Sequence, residues 1–503
     1  MGFPFEHGLR GTIIAMRLAE RLGVDRDTAA QTYYACLLAH AGCTTDAHAT
    51  AGVFGGSLTV NLQPRLYGSG REVVSGFIRA IPEPDSSAPK KALQIVRRLP
   101  RAAREQRPHL VAICEVAQIL GAGVGVPASV QEILAFLTDR WDGRGPLHRA
   151  RGDALPLAMR IVHVAQDANL QLNLHGDKIA VDIIKQRAGH AFDPEVAGCL
   201  AEGATDFFWA DDDASAWDET LSLEPRPHLI LEGEAVDRAL QAMGNFADLI
   251  SPYFTGHCVG VADLVEAASE HCRLSQAEAT ALRRAALFHD LGRVAIDVRT
   301  WEKPGPLSPD EWERVRLHPY HAERVLTRSP FLESLGRIAG AHHERLDGSG
   351  YHRGASGQQL PLTARLLAAA DAYQAMTEPR PFRAALPPDR AADTLANEAR
   401  AGRLDADAVT AVIEGAGQAA PRLERPAGLT EREAEVIAML SRGAQTKHIG
   451  RALGISAKTA DRHIQNAYRK IGISSRAAAT LFAMEHGLVS WGELPIARVM
   501  RHS

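Results

Sequence analysis

At 503 residues the chain exceeds a single compact core and points to about three domains. Apolar residues make up 46% and aromatics only 6%, a balance that predicts helix-rich packing with few strands. The formal charge of -4 excludes general nucleic-acid binding by the body, but residues 428–503 hold 11 Lys+Arg against 6 Asp+Glu, so the tail suits phosphate. The six cysteines are scattered without metal-knuckle spacing, and no apolar secretory segment stands at the N-terminus, which together predict a reduced, cytoplasmic protein. The window from Leu110 to Val130 is interrupted by Glu115, Gln118 and Pro127 and fails as a membrane span.

The chain carries an internal repeat. The stretch LTDRWDGRGPLHRARGDALPLAMRIVHVAQDA from Leu137 matches HHERLDGSGYHRGASGQQLPLTARLLAAADAY from His342 at a constant offset of 205. The shared Asp-Gly-X-Gly and Leu-Pro-Leu-X-X-Arg fix the register, and near the start His7 aligns with His257. Residues 1–200 and 245–420 therefore read as tandem copies of one helical domain. The acidic, Pro-punctuated stretch 201–244 reads as a linker packed by its two tryptophans, and 421–427 as a second linker. A basic segment, 428–492, and a tail, 493–503, complete the chain.

In order, the second copy offers His257, the pair His289-Asp290, His318, the pair His342-His343, and Asp371. Each lies on or beside an apolar helical pattern, and helices that converge can build a bundle-core metal site. Imidazole and carboxylate together suit Fe, Mn, Ni or Zn, and one aspartate can bridge two ions about 3.5 to 4 Å apart that polarise a phosphoryl group and activate water. A lone histidine on an apolar face is more often a packing residue, and His271, His321 and His352 read that way. In the first copy Leu137 and Thr138 replace His342 and His343, Gln166 replaces Asp371, and Ala39-His40 replace His289-Asp290, although His7 persists. The scaffold thus occurs without the ligands, so the ligands of the second copy are not scaffold. The first copy reads as a pseudo-domain for dimerisation, ligand sensing or allosteric control.

The motifs FHDLG, EKPGPLSPDEWERVRLHP, AHHERLDGSGYHRG, AAADAYQAM and RPFRAAL resemble the HD-GYP family across the second copy. The resemblance implies that His257, His289, Asp290 and Asp371 hold one metal, while Asp290 bridges to a second held by His318, His342 and His343. It implies two divalent transition-metal ions, Fe or Mn first and Ni or Zn next, and hydrolysis of a cyclic dinucleotide, chiefly cyclic di-GMP. Asp290, Arg293, His342 and His343 become catalytic residues, and Arg293, Arg380 and Arg383 contacts for substrate phosphate. Lys303 would support the neighbouring loop, and Glu344 and Asp347 would orient His343 or the glycine turn. Three positions depart from the family: Arg293 replaces a lysine, Gly350-Tyr351-His352 replaces Gly-Tyr-Pro, and Tyr253 stands where some members carry a glutamate for a third metal.

In the basic segment Thr430 and Glu433 form a capping box, Gly454 marks a turn, and Ser456 caps the next helix. Two helices joined this way make a helix-turn-helix. Ala460, Ile464, Ala467 and Ile471 share one face, which turns Lys458, Thr459, Arg462 and Gln465 outward for the major groove. Thr446, Lys447 and Lys470 are set for phosphates. The segment resembles the LuxR-type DNA-binding domain, including LTEREAEV, KTADRH and IGISSRAAA, and that resemblance implies a homodimer on a double-stranded operator. The fold expected is all-α: two tandem HD-type helical bundles followed by a four-helix LuxR-type domain. The function expected is a cyclic dinucleotide phosphodiesterase coupled to transcriptional regulation. Two alternatives stay open on the residues, a transcription factor that binds a nucleotide or metal as a signal without turnover, and a di-iron redox or oxygen sensor.

Overall fold

The computed structural model describes residues 6–44, 47–208, 215–419, 426–486 and 488–489. Residues 421–425 of the second linker, Trp209 of the first and the 493–503 tail lie outside the described residues. Every regular element described is a helix, and β pairing among the described residues is limited to two isolated bridges. No described helix is long and apolar enough to cross a membrane.

The chain forms two compact units, Met1–Pro252 with Asp297–Arg299, and Tyr253–Ile296 with Thr300–Ser503. The first is built on α1 (His7–Arg21), α2 (Arg26–Leu38), α3 (Gly70–Ala80), the long α4 (Ala88–Gly123), α5 (Leu157–His175), α6 (Asp177–Arg187) and α7 (Pro194–Glu202). Asp25 opens α2 by accepting from the Thr28 amide at 2.7 Å, and Ser69 with Glu72 closes a capping box on α3. Leu18 of α1, Leu134, Met159 and Ile161 of α5, and Leu200 of α7 are buried in one core.

Residues 201–244, expected as a packed linker, are helical over much of their described length. They carry helices Ala204–Phe208 and Ala216–Ser222 and the start of α8 (Glu234–Asp248). Glu219 pairs with Arg17 of α1 at 2.7 Å, the Tyr33 hydroxyl donates to the Thr220 carbonyl at 3.1 Å, and α8 packs on α4. The small apolar residues of α8, Ala239, Leu240, Ala242 and Ala247, bury one face of it in the first unit. Acidic composition conceals this amphipathic pattern, and α8 ends the first unit rather than opening the second.

The second unit repeats the plan with α9 (His257–His271), α10 (Gln276–Phe288), α11 (His318–Leu326), α12 (Pro330–Ala339), α13 (Leu362–Thr377) and α14 (Ala406–Gly415). Ser275 and Glu278 cap α10 as Asp25 caps α2. α9 lies across α10, α13 and α14, burying Val261, Val265, Leu282, Leu367 and Val412. Gly292 permits the chain after α10 to approach the start of α11: a Cβ there would meet the His318 carbonyl oxygen at 1.9 Å.

The last four helices, α15 (Glu431–Ser441), α16 (Thr446–Ala452), α17 (Ala457–Ile471) and α18 (Arg476–Glu485), enclose a core of their own. Val436, Ile437, Ile449, Ala460, Ile464 and Ala467 fill it. Thr430 and Ser456 cap α15 and α17, and Gly454, with φ of +66°, makes the turn between α16 and α17.

Candidate metal centre

Three helix ends and the middle of a fourth helix meet at the site. His257 is the first residue of α9, His289 follows the last residue of α10, His318 opens α11, and Asp371 lies within α13. All four side chains are buried, as are those of Asp290 and His342, while His343 stays 17% exposed. The seven residues fall into two groups with converging ligand atoms: His257, His289, Asp290 and Asp371 in one, and His318, His342 and His343 in the other. Asp290 faces both. Its Oδ2 lies 3.0 Å from His289 Nε2 and 3.4 Å from His257 Nε2, and its Oδ1 lies 3.2 Å from His318 Nε2 and 3.4 Å from His342 Nε2. Asp371 Oδ1 lies 3.1 Å from His257 Nε2, and its Oδ2 lies 3.7 Å from His343 Nδ1.

Backbone carbonyls orient three of the rings. His289, His318 and His342 each direct Nδ1 at a carbonyl three residues earlier, at 2.8, 2.6 and 2.6 Å. With Nδ1 donating, the Nε2 lone pair of each points into the centre. His257 Nδ1 instead meets the Glu378 carboxylate at 2.9 Å.

The electrostatics follow from burial beside charge. Burial and the Arg293 cation lower the His257 pKa, but Asp290, Asp371 and Glu378 outweigh them and raise it to about 9. Burial opposes ionisation of Asp290, and Arg293 with His289 reverses this, holding the carboxyl well below its usual range. Burial takes His342 down to about 4. The donor set fits a divalent cation. His289 Nε2 and both Asp290 oxygens are buried and, although in ion-pair contact, make no hydrogen bond of regular geometry, and several imidazole nitrogens approach the one carboxylate. Cations shared between them would resolve that arrangement.

The cations named from the sequence take different positions. Arg293 is buried, forms an ion pair with Asp290 Oδ2 and stacks 4.2 Å from the Phe254 ring centre. Arg380 is directed to Glu378 Oε2 at 2.8 Å and to the Tyr253 carbonyl, with its guanidinium 5.1 Å from the same ring. Arg383 donates to the carbonyls of Ala375, Met376 and Glu378, closing the C-terminus of α13. Lys303 pairs with Glu311 at 2.6 Å in the neighbouring capping box. Glu344 accepts from the Arg353 and Ala355 amides, both at 2.8 Å, and Asp347 from the Ser349 amide at 2.9 Å, so both shape the glycine turn. His352 lies 3.9 Å from Glu323. Sequence reasoning passed over two residues that touch ligands: Glu378, two turns beyond Asp371, and Tyr351, whose ring lies 4.7 Å from that of His343. The Asp371 to Glu378 spacing of two helical turns was the available signal.

In the C-terminal helices Lys447, Lys458, Arg462 and Gln465 are exposed, with the last three on α17. Thr446 opens α16, and the Thr459 hydroxyl lies 2.8 Å from that of Ser456 in the α17 cap. Lys470 reaches Glu433 at 2.7 Å and the Gly428 carbonyl at 2.8 Å, tying α17 to the start of α15.

Comparison with known proteins places these parts. The HD domain family matches residues 241–408, and the bacterial regulatory proteins of the luxR family match 427–483. The chain is 30% identical over 395 residues, 78% of its length and 86% of the relative's, to the 3'3'-cGAMP-specific phosphodiesterase 3 of Vibrio cholerae. It is 36% identical over 190 residues, 37% of its length and 49% of the relative's, to the cyclic di-GMP phosphodiesterase response regulator RpfG of Xanthomonas campestris. A crystal structure of a cyclic GMP-AMP specific phosphodiesterase of V. cholerae superposes with a TM-score of 0.56 at 25% identity, covering 83% of this chain and 94% of that one. With its paired histidine and aspartate groups in one unit and a luxR-family domain behind them, the chain belongs to the HD-domain phosphodiesterases of HD-GYP type.

Proposed function

We propose that this protein hydrolyses a cyclic dinucleotide at the His257–Asp371 centre and that its C-terminal domain binds operator DNA as a homodimer. The observation that carries the enzymatic reading is Asp290, whose two oxygens face two separate histidine groups at 3.0 to 3.4 Å. His257, His289, Asp290 and Asp371 would hold one divalent ion, and His318, His342 and His343 the other, with Asp290 shared. Bound there, such ions supply Lewis acidity toward a phosphoryl oxygen and lower the pKa of water. The chain's own groups set the frame. The carbonyls of Ala286, Val315 and Ala339 lock three imidazoles in one tautomer, and Glu378 locks the fourth. Arg293 keeps a permanent cation against Asp290, which limits the net negative charge that an incoming phosphodiester meets.

Cyclic di-GMP is the substrate first expected. The long match to a 3'3'-cGAMP-specific relative favours 3'3'-cGAMP as a second reading. The test is hydrolysis of both by protein loaded anaerobically with Fe or Mn, beside a His342→Ala, Asp290→Ala double variant. Turnover of either that disappears in the variant supports the reading. Metal-dependent nucleotide binding without turnover would instead make the unit a sensor. Operator affinity measured with and without metal and nucleotide tests the coupling, and identical affinity in all states would sink it.

A further inference from the structure

The first copy carries a partly open cavity of about 710 Å³. Its walls include His7, Ala39, His40, Leu137, Thr138 and Gln166, the residues aligned with His257, His289, Asp290, His342, His343 and Asp371. Ala39, Leu137 and Thr138 stand where the second copy has imidazoles, His40 and Gln166 are larger than the aspartates they align with, and open space remains beside them. Protein interiors ordinarily close such spaces. A volume within the range of about 300 to 1,000 Å³ is that of a small-molecule site.

Several polar groups of the wall are paired within the first copy, whereas the buried Thr138 hydroxyl is not. His40 Nε2 meets Gln166 Oε1 at 3.2 Å, and Asn169 reaches His7 Nδ1 at 3.0 Å. Burial lowers the pKa of His7 and of His163 to about 4, with His40 adding to the shift at His7, so both rings are neutral near pH 7. Asp167 is paired with Arg187 at 2.5 Å, and Arg140 is paired bidentately with Asp142 at 2.9 and 3.1 Å. Arg144 stands exposed among the lining residues. Between these groups the wall is aliphatic and aromatic, with Leu66, Tyr67, Val73, Leu110, Ile113 and Val162. Of the two lining guanidinium groups Arg140 is already paired and Arg144 is exposed, so a dianionic cyclic dinucleotide would leave phosphate desolvated against neutral imidazoles.

We propose that this cavity is a binding site for an uncharged, largely apolar small organic molecule, distinct in chemistry from the nucleotide site of the second copy. The first copy is on this reading a ligand receptor that reuses the geometry of a lost metal centre.

The experiment titrates the full-length protein with the uncharged fluorophore 6-propionyl-2-(dimethylamino)naphthalene. Saturable, blue-shifted emission is expected from the wild type and from His342→Ala, whose change lies in the other copy. Two occluding variants, Leu137→Trp within the wall and Leu66→Trp, which is already 37% exposed, should abolish saturable binding while the circular dichroism stays native. Arg144→Ala should leave it unchanged. The proposal is overturned if the wild type shows no saturable binding, if both folded tryptophan variants bind as the wild type does, or if cyclic di-GMP displaces the fluorophore.

Discussion

Substitution of Gly292 by alanine isolates the geometric demand of the centre. Gly292 lies outside the left-handed region, so alanine is acceptable to the backbone and the effect is steric alone. The new Cβ would stand 1.9 Å from the His318 carbonyl oxygen and 2.6 Å from the Ala322 amide nitrogen, where real Cβ atoms keep at least 3.0 Å. The start of α11 must therefore retreat by about 1 Å, and it carries His318, whose Nε2 stands 3.2 Å from Asp290 Oδ1. Metal-ligand distances tolerate only about 0.2 Å, so the second group should lose its ion while His257, His289, Asp290 and Asp371 retain theirs. A misplacement of about 1 Å costs on the order of 100-fold in rate. The assay is metal stoichiometry by mass spectrometry after anaerobic loading, with hydrolysis measured on the same sample. Gly42→Ala supplies the control, because the equivalent Cβ in the first copy meets the Ile113 carbonyl oxygen at 2.1 Å with no metal ligand involved. Both variants should lose about 1 to 3 kcal/mol of stability through overpacking, and only Gly292→Ala should lose metal. A Gly292→Ala protein with wild-type metal content and turnover would refute the reasoning, as would equal metal loss in Gly42→Ala.

Glu378→Gln removes the charge that orients His257 Nδ1, and metal affinity measured by competition with a chelator should fall about 10- to 100-fold, with the fold unchanged by circular dichroism. The first unit should weaken in mild acid: His7 and His163 have folded pKa values of about 4 against 6.5 unfolded, so their contribution is intact above about pH 6.5 and is lost as pH falls toward 4. Thermal unfolding should register a loss of about 2 kcal/mol per histidine by about pH 5, and a His163→Gln protein with an unchanged pH slope would contradict the assignment. Lys447→Ala should lower the salt dependence of DNA binding by about one unit of slope, whereas Lys470→Met should leave that slope alone and lower the melting temperature of the C-terminal domain, since Lys470 is held by Glu433 and Gly428.

The helical architecture and the luxR-family domain were legible because caps, glycines and apolar periodicity are local signals, as at Thr430, Ser456 and Gly454. The order of the seven histidines and aspartates was legible because the repeat supplies an internal comparison, and the structure brings all seven together. What spacing does not reveal is which partner a long cation selects. Arg383 turns to the carbonyls at the end of α13, Arg380 to Glu378, and Lys470 to Glu433, each because an uncompensated carbonyl or buried carboxylate lies within reach. Residues 201–244, read as a packed linker, show the same dependence on partners. Acidic residues dominate their composition, but a few small apolar side chains on one face of α8 decide where they pack.

His7 and His257 occupy the same place in two copies of one scaffold, each as the first residue of its helix and each buried. Their proton affinities move in opposite directions, to about 4 for His7 and about 9 for His257. Burial acts on both in the same sense, so the difference belongs to the neighbours. His257 faces Asp290, Asp371 and Glu378, whereas His7 meets His40 and Asn169. Replacing Asp290 by His40 and Asp371 by Gln166 in the scaffold removes two negative charges without disturbing a helix. That exchange puts an imidazole and an amide where the second copy holds two carboxylates among its histidines. The helices fix where a site stands, and a few carboxylates among the side chains that line it decide which chemistry occurs there.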